Sequence, residues 1–179
     1  MHQSIKLVMV LFLVTVLVSC NQGESLQGYY VANQETPNFV SVDIPVSFVK
    51  IDENDLTAEQ LEAYESIDKL NMLGYSKTAN EEEYKAEVAK VHEILKNEKY
   101  EELMRGGNAK DGKFVVKMIG EGDAIDELIV FGTAKERGFA IVRVLGDDMD
   151  PAKIITLGDV LSKMQTDENQ VQDFMNFFQ

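Results

Sequence analysis

Three segments rich in β-branched and aromatic residues follow one another at close spacing in this chain, at 114–119, 125–133 and 139–145. Between them lie Gly120-Glu121-Gly122-Asp123 and Lys135-Glu136-Arg137-Gly138, glycine-containing connections of hairpin length. Such connections pair neighbouring strands antiparallel, so the sequence commits to a meander before anything else about it is read. A further segment, 39–51, alternates Val40, Val42, Ile44 and Val46 and reads as a first strand, which Pro45 pushes toward an edge or a bulge. Residues 70–75 read either as the end of a helix or as a short strand, residues 100–104 as a short strand, and the glycine-rich stretch 105–113 as a loop.

Helical signals stand between the strands. Thr57-Ala58-Glu59-Gln60 matches the capping box, with Leu61, Tyr64 and Ile67 following at helical spacing. Asn80 followed by Glu81, Glu82 and Glu83 places a cap oxygen and three carboxylates at the positive end of a helix dipole. Tyr84, Val88, Val91, Ile94 and Leu95 form the apolar face of that helix. Residues 154–164 read as a last helix. Val171, Phe174, Met175 and Phe178 give the end of the chain an amphipathic character of its own, either docked on the domain or exposed to a partner. The expected fold class is α+β, a mainly antiparallel sheet with two to three helices packed on one face, after a cleaved signal peptide.

The amino terminus is read as an address. Lys6 precedes a largely apolar run over residues 7–18, broken only by Thr15 and too short for a hydrocarbon core of roughly 30 Å, which needs about 20 residues. Leu17-Val18-Ser19-Cys20 follows and is similar to the bacterial lipoprotein box, in which Ser19 supplies the small residue before cleavage and Cys20 the thiol that takes a diacylglyceryl group. The alternative is an ordinary signal sequence in which Cys20 is only an apolar residue. Acyl chains of the palmitate class on Cys20 would hold the chain on a membrane. Asn21 stands where an Asp often retains lipoproteins at the inner membrane, so the periplasmic face of an outer membrane is the expected location. The expected organisation is a lipoprotein signal peptide over 1–19, a lipidated flexible tether over 20–38, a single α+β domain over 39–164 and an amphipathic tail over 165–179.

Charge and composition exclude several functions. The chain carries 31 Asp and Glu against 17 Lys and Arg, a formal net charge of -14, which opposes nucleic-acid partners and anionic lipid surfaces. A single cysteine permits neither an intramolecular disulfide nor a multi-thiolate metal site. His92 has no nucleophile motif to serve, and Gly106-Gly107 and Gly120-Glu121-Gly122 lack the Lys-Ser/Thr of a phosphate loop. Asp52/Asp55 and Asp147/Asp148/Asp150 miss the EF-hand spacing and read as turns and caps. The expectation is therefore no catalytic residue, no metal and no cofactor. A carboxylate hydrolase would need two acids converging in one cleft.

The combination of the lipobox at Cys20, Val40-Ser41-Val42-Asp43-Ile44, Tyr100-Glu101-Glu102-Leu103-Met104 and a closing strand that ends in Gly146-Asp147 resembles domain of unknown function 4252, found in small Bacteroidota lipoproteins. The resemblance implies an envelope location and a one-domain α+β shape. Members often stand beside regulatory genes, sigma factors included, which implies envelope sensing. The expected role is a non-enzymatic protein-interaction or sensing module with an envelope partner, or else a protein binding a small molecule, peptide or lipid.

Overall fold

The computed structural model describes residues 24–48, 56–77, 80–108, 110–122, 124–134 and 137–161. Among these residues six strands form one antiparallel sheet: β1 (Phe39–Pro45), β2 (Ile67–Ser76), β3 (Glu101–Asn108), β4 (Gly112–Glu121), β5 (Ala124–Ala134) and β6 (Gly138–Met149), in the spatial order β1-β2-β6-β5-β4-β3. The meander β4-β5-β6 is as the hairpin connections require. The glycine-rich stretch 105–113 is mostly strand, because Arg105 to Asn108 remain paired with β4 and only the tip turns. There Asn108 Oδ1 accepts from the amides of Lys110 and Asp111 at 2.8 and 2.9 Å.

Among the described residues four α-helices accompany the sheet: α1 (Leu26–Asn33), α2 (Ala58–Glu65), α3 (Glu81–Ile94) and α4 (Pro151–Leu161). The capping box of α2 forms, Thr57 Oγ1 accepting from Gln60 N and Gln60 Oε1 accepting from Thr57 N. Asn80 Oδ1 takes the amides of Glu82 and Glu83 at the start of α3. Ile67, expected to continue α2, opens β2 instead: Ser66 closes the helix, and Ile67 enters the ladder opposite Gly146 of β6.

The α+β class and the antiparallel sheet are as expected, while the helices divide between the two faces of the sheet. Side chains alternate along a strand. Phe139 and Ile141 of β6, Leu73 and Tyr75 of β2, and Ile129 and Phe131 of β5 pack under α1 and α3. Val144, Leu128, Val116 and Met118 point the other way and pack with Ala63 of α2 and with Ile154 and Leu157 of α4. Both alternating sets are apolar, and each needs a cover.

The expected tether is the second difference. Residues Leu26–Asn33 are helical, Ser25 Oγ accepting from Gly28 N at the cap, and Leu26, Tyr29 and Tyr30 are buried. Tyr29 Oη donates to Glu87 of α3 at 2.8 Å, Tyr30 Oη donates to the Val42 carbonyl of β1, and Tyr100 Oη accepts from Leu26 N. The domain therefore starts well before Phe39. The apolar residues of this segment are few, but Leu26, Tyr29 and Tyr30 stand three and four apart, which is enough for one helical face. Residues 1–23, which hold Ser19 and Cys20, and the tail from 162 onward lie outside the described residues.

Candidate functional site: a basic cleft beside an open sheet edge

A six-stranded sheet is about 24 Å across, whereas two helices packed side by side cover about 20 Å of it. α1 sits over β1, β2 and β6, tied by Tyr30 to Val42 and by Gln27 to Arg143. α3 sits over β6 and β5, with Tyr84 against Gly138 and the His92 ring edge-on to Phe131 at 5.1 Å. The β4 and β3 side of that face extends past α3, and the step between helix and sheet is a cleft of about 550 Å³.

Its floor is apolar. Val115 and Phe131 come from β4 and β5, and Tyr84, Val88 and Leu95 line the α3 wall. Its rim is basic: Lys96 follows α3, Lys113 and Lys117 stand on β4 and Arg105 on β3, with Glu102 the one carboxylate of the lining. Arg105 grips both oxygens of Glu102 at 2.5 Å, and this bond holds the Glu102 carboxyl below its usual range, so it stays ionised and engaged. Lys117 Nζ donates to the Tyr100 carbonyl and stands 3.8 Å from Glu102. Lys96 bridges to Glu93 at 2.7 Å. Lys113 has no ion-pair partner among the described residues.

His92, for which the sequence offers no nucleophile motif, lines this cleft. Partial burial, then Lys96 and Lys113, push its pKa below the ordinary value, so the ring is neutral at pH 7. Among the described residues no group of three or more His, Cys, Asp or Glu could hold a metal ion, and no helix is long and apolar enough to cross a membrane. Asp150 caps α4 through the amides of Ala152 and Lys153, while Asp52 and Asp55 lie outside the described residues.

Next to the cleft the sheet ends. Among the described residues β3 is hydrogen-bonded to β4 alone of the strands, and all of its residues but Gly106 are exposed. Leu103, Met104 and the neighbouring Phe114 are 38%, 45% and 42% exposed. β3 and β4 slip register between Glu102 and Met104, leaving Leu103 at a bulge.

Residues 29–157 match the family model described as Domain of unknown function (DUF4252). The chain belongs to this family. The DUF4252 match takes in α1 from Tyr29, all six strands and α4 as far as Leu157, so the helix expected to be tether is part of the family's domain. The cleft and the β3 edge lie wholly within it. No curated protein and no solved structure matches the chain.

The cleft residues of this chain stand in the sequence as a pattern that a search for motifs passes over. Lys113, Val115 and Lys117 share one face of a strand, and His92 and Lys96 share one face of a helical turn. Bringing the two sets together needs the sheet order.

Proposed function

We propose that this DUF4252 protein is a lipid-anchored, non-enzymatic recognition module of the cell envelope, held by acylated Cys20 on the periplasmic face of the outer membrane, and that it binds another envelope protein at the β3 edge. The observation that carries the reading is the exposed eight-residue β3 edge strand, which presents its own Leu103 and Met104 beside Phe114 of β4. Unpaired strand amides and carbonyls beside apolar side chains offer a partner both a ladder and an anchor. At the other edge, β1 runs into Pro45, which has no amide to donate. Tethering to a surface raises the effective concentration of such a module toward partners on that surface.

A photo-crosslinking residue placed at Met104, and separately at Ile155, tests the edge in living cells. Ile155 is a comparably exposed apolar position on α4. One recurrent envelope protein captured from position 104 and not from 155 is the expected result. Capture of nothing, or of the same proteins from both positions, would count against the edge. A second reading, a small-molecule-binding envelope protein, is favoured by the cleft under α3.

A further inference from the structure

We propose that the cleft between α3 and the β3–β5 end of the sheet binds a small amphiphilic anion, a single oxyanion headgroup on a hydrocarbon or aromatic body. The inference rests on the small-molecule reading, to which it gives a ligand class, and is independent of protein recognition at the edge.

Charge distribution is the first argument. Acids outnumber bases in this chain by 31 to 17, yet the cleft lining reverses the balance, with Lys96, Arg105, Lys113 and Lys117 against Glu102 alone. Two of these cations are paired, Arg105 with Glu102 and Lys96 with Glu93, so the excess of the lining rests on Lys113 and Lys117. The Lys113 ammonium is left without a carboxylate among the described residues, in a recess whose low-dielectric walls concentrate the field of the surrounding cations. A local positive spot on a strongly acidic protein attracts one headgroup, whereas an extended polyanion or an anionic membrane meets repulsion from the rest of the surface.

The floor supplies the second argument. Val88, Leu95, Val115 and Phe131 present hydrocarbon beside the cationic rim, an arrangement that matches a molecule charged at one end and apolar at the other. The volume, about 550 Å³, falls in the range of pockets that enclose ligands of ordinary metabolite or drug size. His92 lines the same recess edge-on to Phe131, and a neutral imidazole can donate one hydrogen bond to a headgroup oxygen.

Two fluorescent probes that share an aromatic body separate charge from apolarity: anilinonaphthalene sulfonate carries an anion, and N-phenylnaphthylamine does not. The chain from residue 20 with Cys20→Ser keeps all of residues 24–161, which make the packing described above. It should bind the sulfonate at one saturable site, about tenfold more tightly than the neutral probe, with the sulfonate alone weakened by added salt. Lys113→Glu should weaken the sulfonate about tenfold and leave the neutral probe unchanged, since it replaces an attraction by a repulsion of comparable size. Lys69→Glu makes the same charge change on β2, far across the sheet, and should have little effect.

Equal affinity for the two probes, or equal weakening by Lys113→Glu and Lys69→Glu, would overturn the anion and leave the small-molecule reading standing. No saturable binding of either probe would remove both. If Lys113→Glu does not fold by circular dichroism, Lys113→Gln answers the same question with a smaller loss. Dodecanoate, a soluble hydrocarbon carboxylate, should displace the sulfonate competitively. Displacement by vesicles of anionic phospholipid and not by dodecanoate would refute a small-molecule site in favour of a membrane surface.

Discussion

The Arg143 guanidinium of β6 holds the Glu127 carboxylate of β5 through two bonds, at 2.6 and 3.1 Å, and both side chains are buried. They are diagonal neighbours, since Arg143 stands opposite Ile129 and Glu127 opposite Leu145. Gln27 of α1 accepts from a third nitrogen of the same guanidinium. One buried ion pair thus fastens two central strands and seats the amino-terminal helix on them. Arg143→Met leaves Glu127 buried without its partner and should cost about 3–5 kcal/mol in urea unfolding. Arg143→Met with Glu127→Leu should recover most of that loss, because no uncompensated charge remains.

The first helix belongs to the core. Leu26 is 1% exposed and Tyr29 is likewise buried. Leu26→Ala should therefore destabilise the domain by about 2–5 kcal/mol, and a chain begun at Phe39 should fail to give a cooperative unfolding transition. A flexible tether would leave both measurements unchanged.

Two glycines on neighbouring strands should respond in opposite ways. Gly138 has φ +137°, and a Cβ there would lie 1.8 Å from the Tyr75 carbonyl oxygen. Backbone must move to admit it, so Gly138→Ala should cost at least about 1–3 kcal/mol. A Cβ on Gly132 meets nothing within 4 Å. Gly132→Ala should fall within about 0.5 kcal/mol of the parent, measured by the same urea midpoint.

Stability should depend on pH through His92. Burial first, then Lys96 and Lys113, lower its pKa in the folded state, while Phe131 packs against its ring and Lys117, Arg105 and Glu102 complete the charges of the cleft. The unfolded chain, with a histidine pKa near 6.5, then binds more protons than the folded one as pH falls below that value. His92 therefore contributes stability above pH 6.5 that is lost as the pH drops toward and through its folded value. Unfolding midpoints measured from pH 7.5 to 5.5 should fall more steeply for the parent than for His92→Gln.

Anchoring has its own test. Cys20→Ser should move the protein from the membrane pellet to the soluble fraction. A variant still in the pellet after a high-salt wash would show that something other than acyl chains holds it there.

The parts of the fold that were legible from the residues are those set by local chemistry. Thr57 with Gln60 and Asn80 with Glu81, Glu82 and Glu83 fix helix starts through side-chain to backbone bonds a few residues long. Alternation and short glycine turns fix the antiparallel β4-β5-β6 meander. The segment around Leu26 was less legible because its burial comes from partners far along the chain: Tyr100, Glu87 and Arg143, reached across 74, 58 and 116 residues. The division of helices between two faces was hidden for a related reason, since an apolar residue in a strand does not say which helix will cover it.

Composition and short-range spacing were sufficient for the α+β class, the antiparallel pairing, the acidic balance and the lipobox pattern at Cys20. That β3 ends the sheet, that α3 stops short of it, and that Lys96, Arg105, Lys113 and Lys117 line one recess emerged only once the chain was packed in three dimensions. The reason is geometric. Spacing along a chain assigns a side chain to a face of its own element, but a site forms where faces of different elements meet, and strand order and helix placement are settled by packing of the whole core.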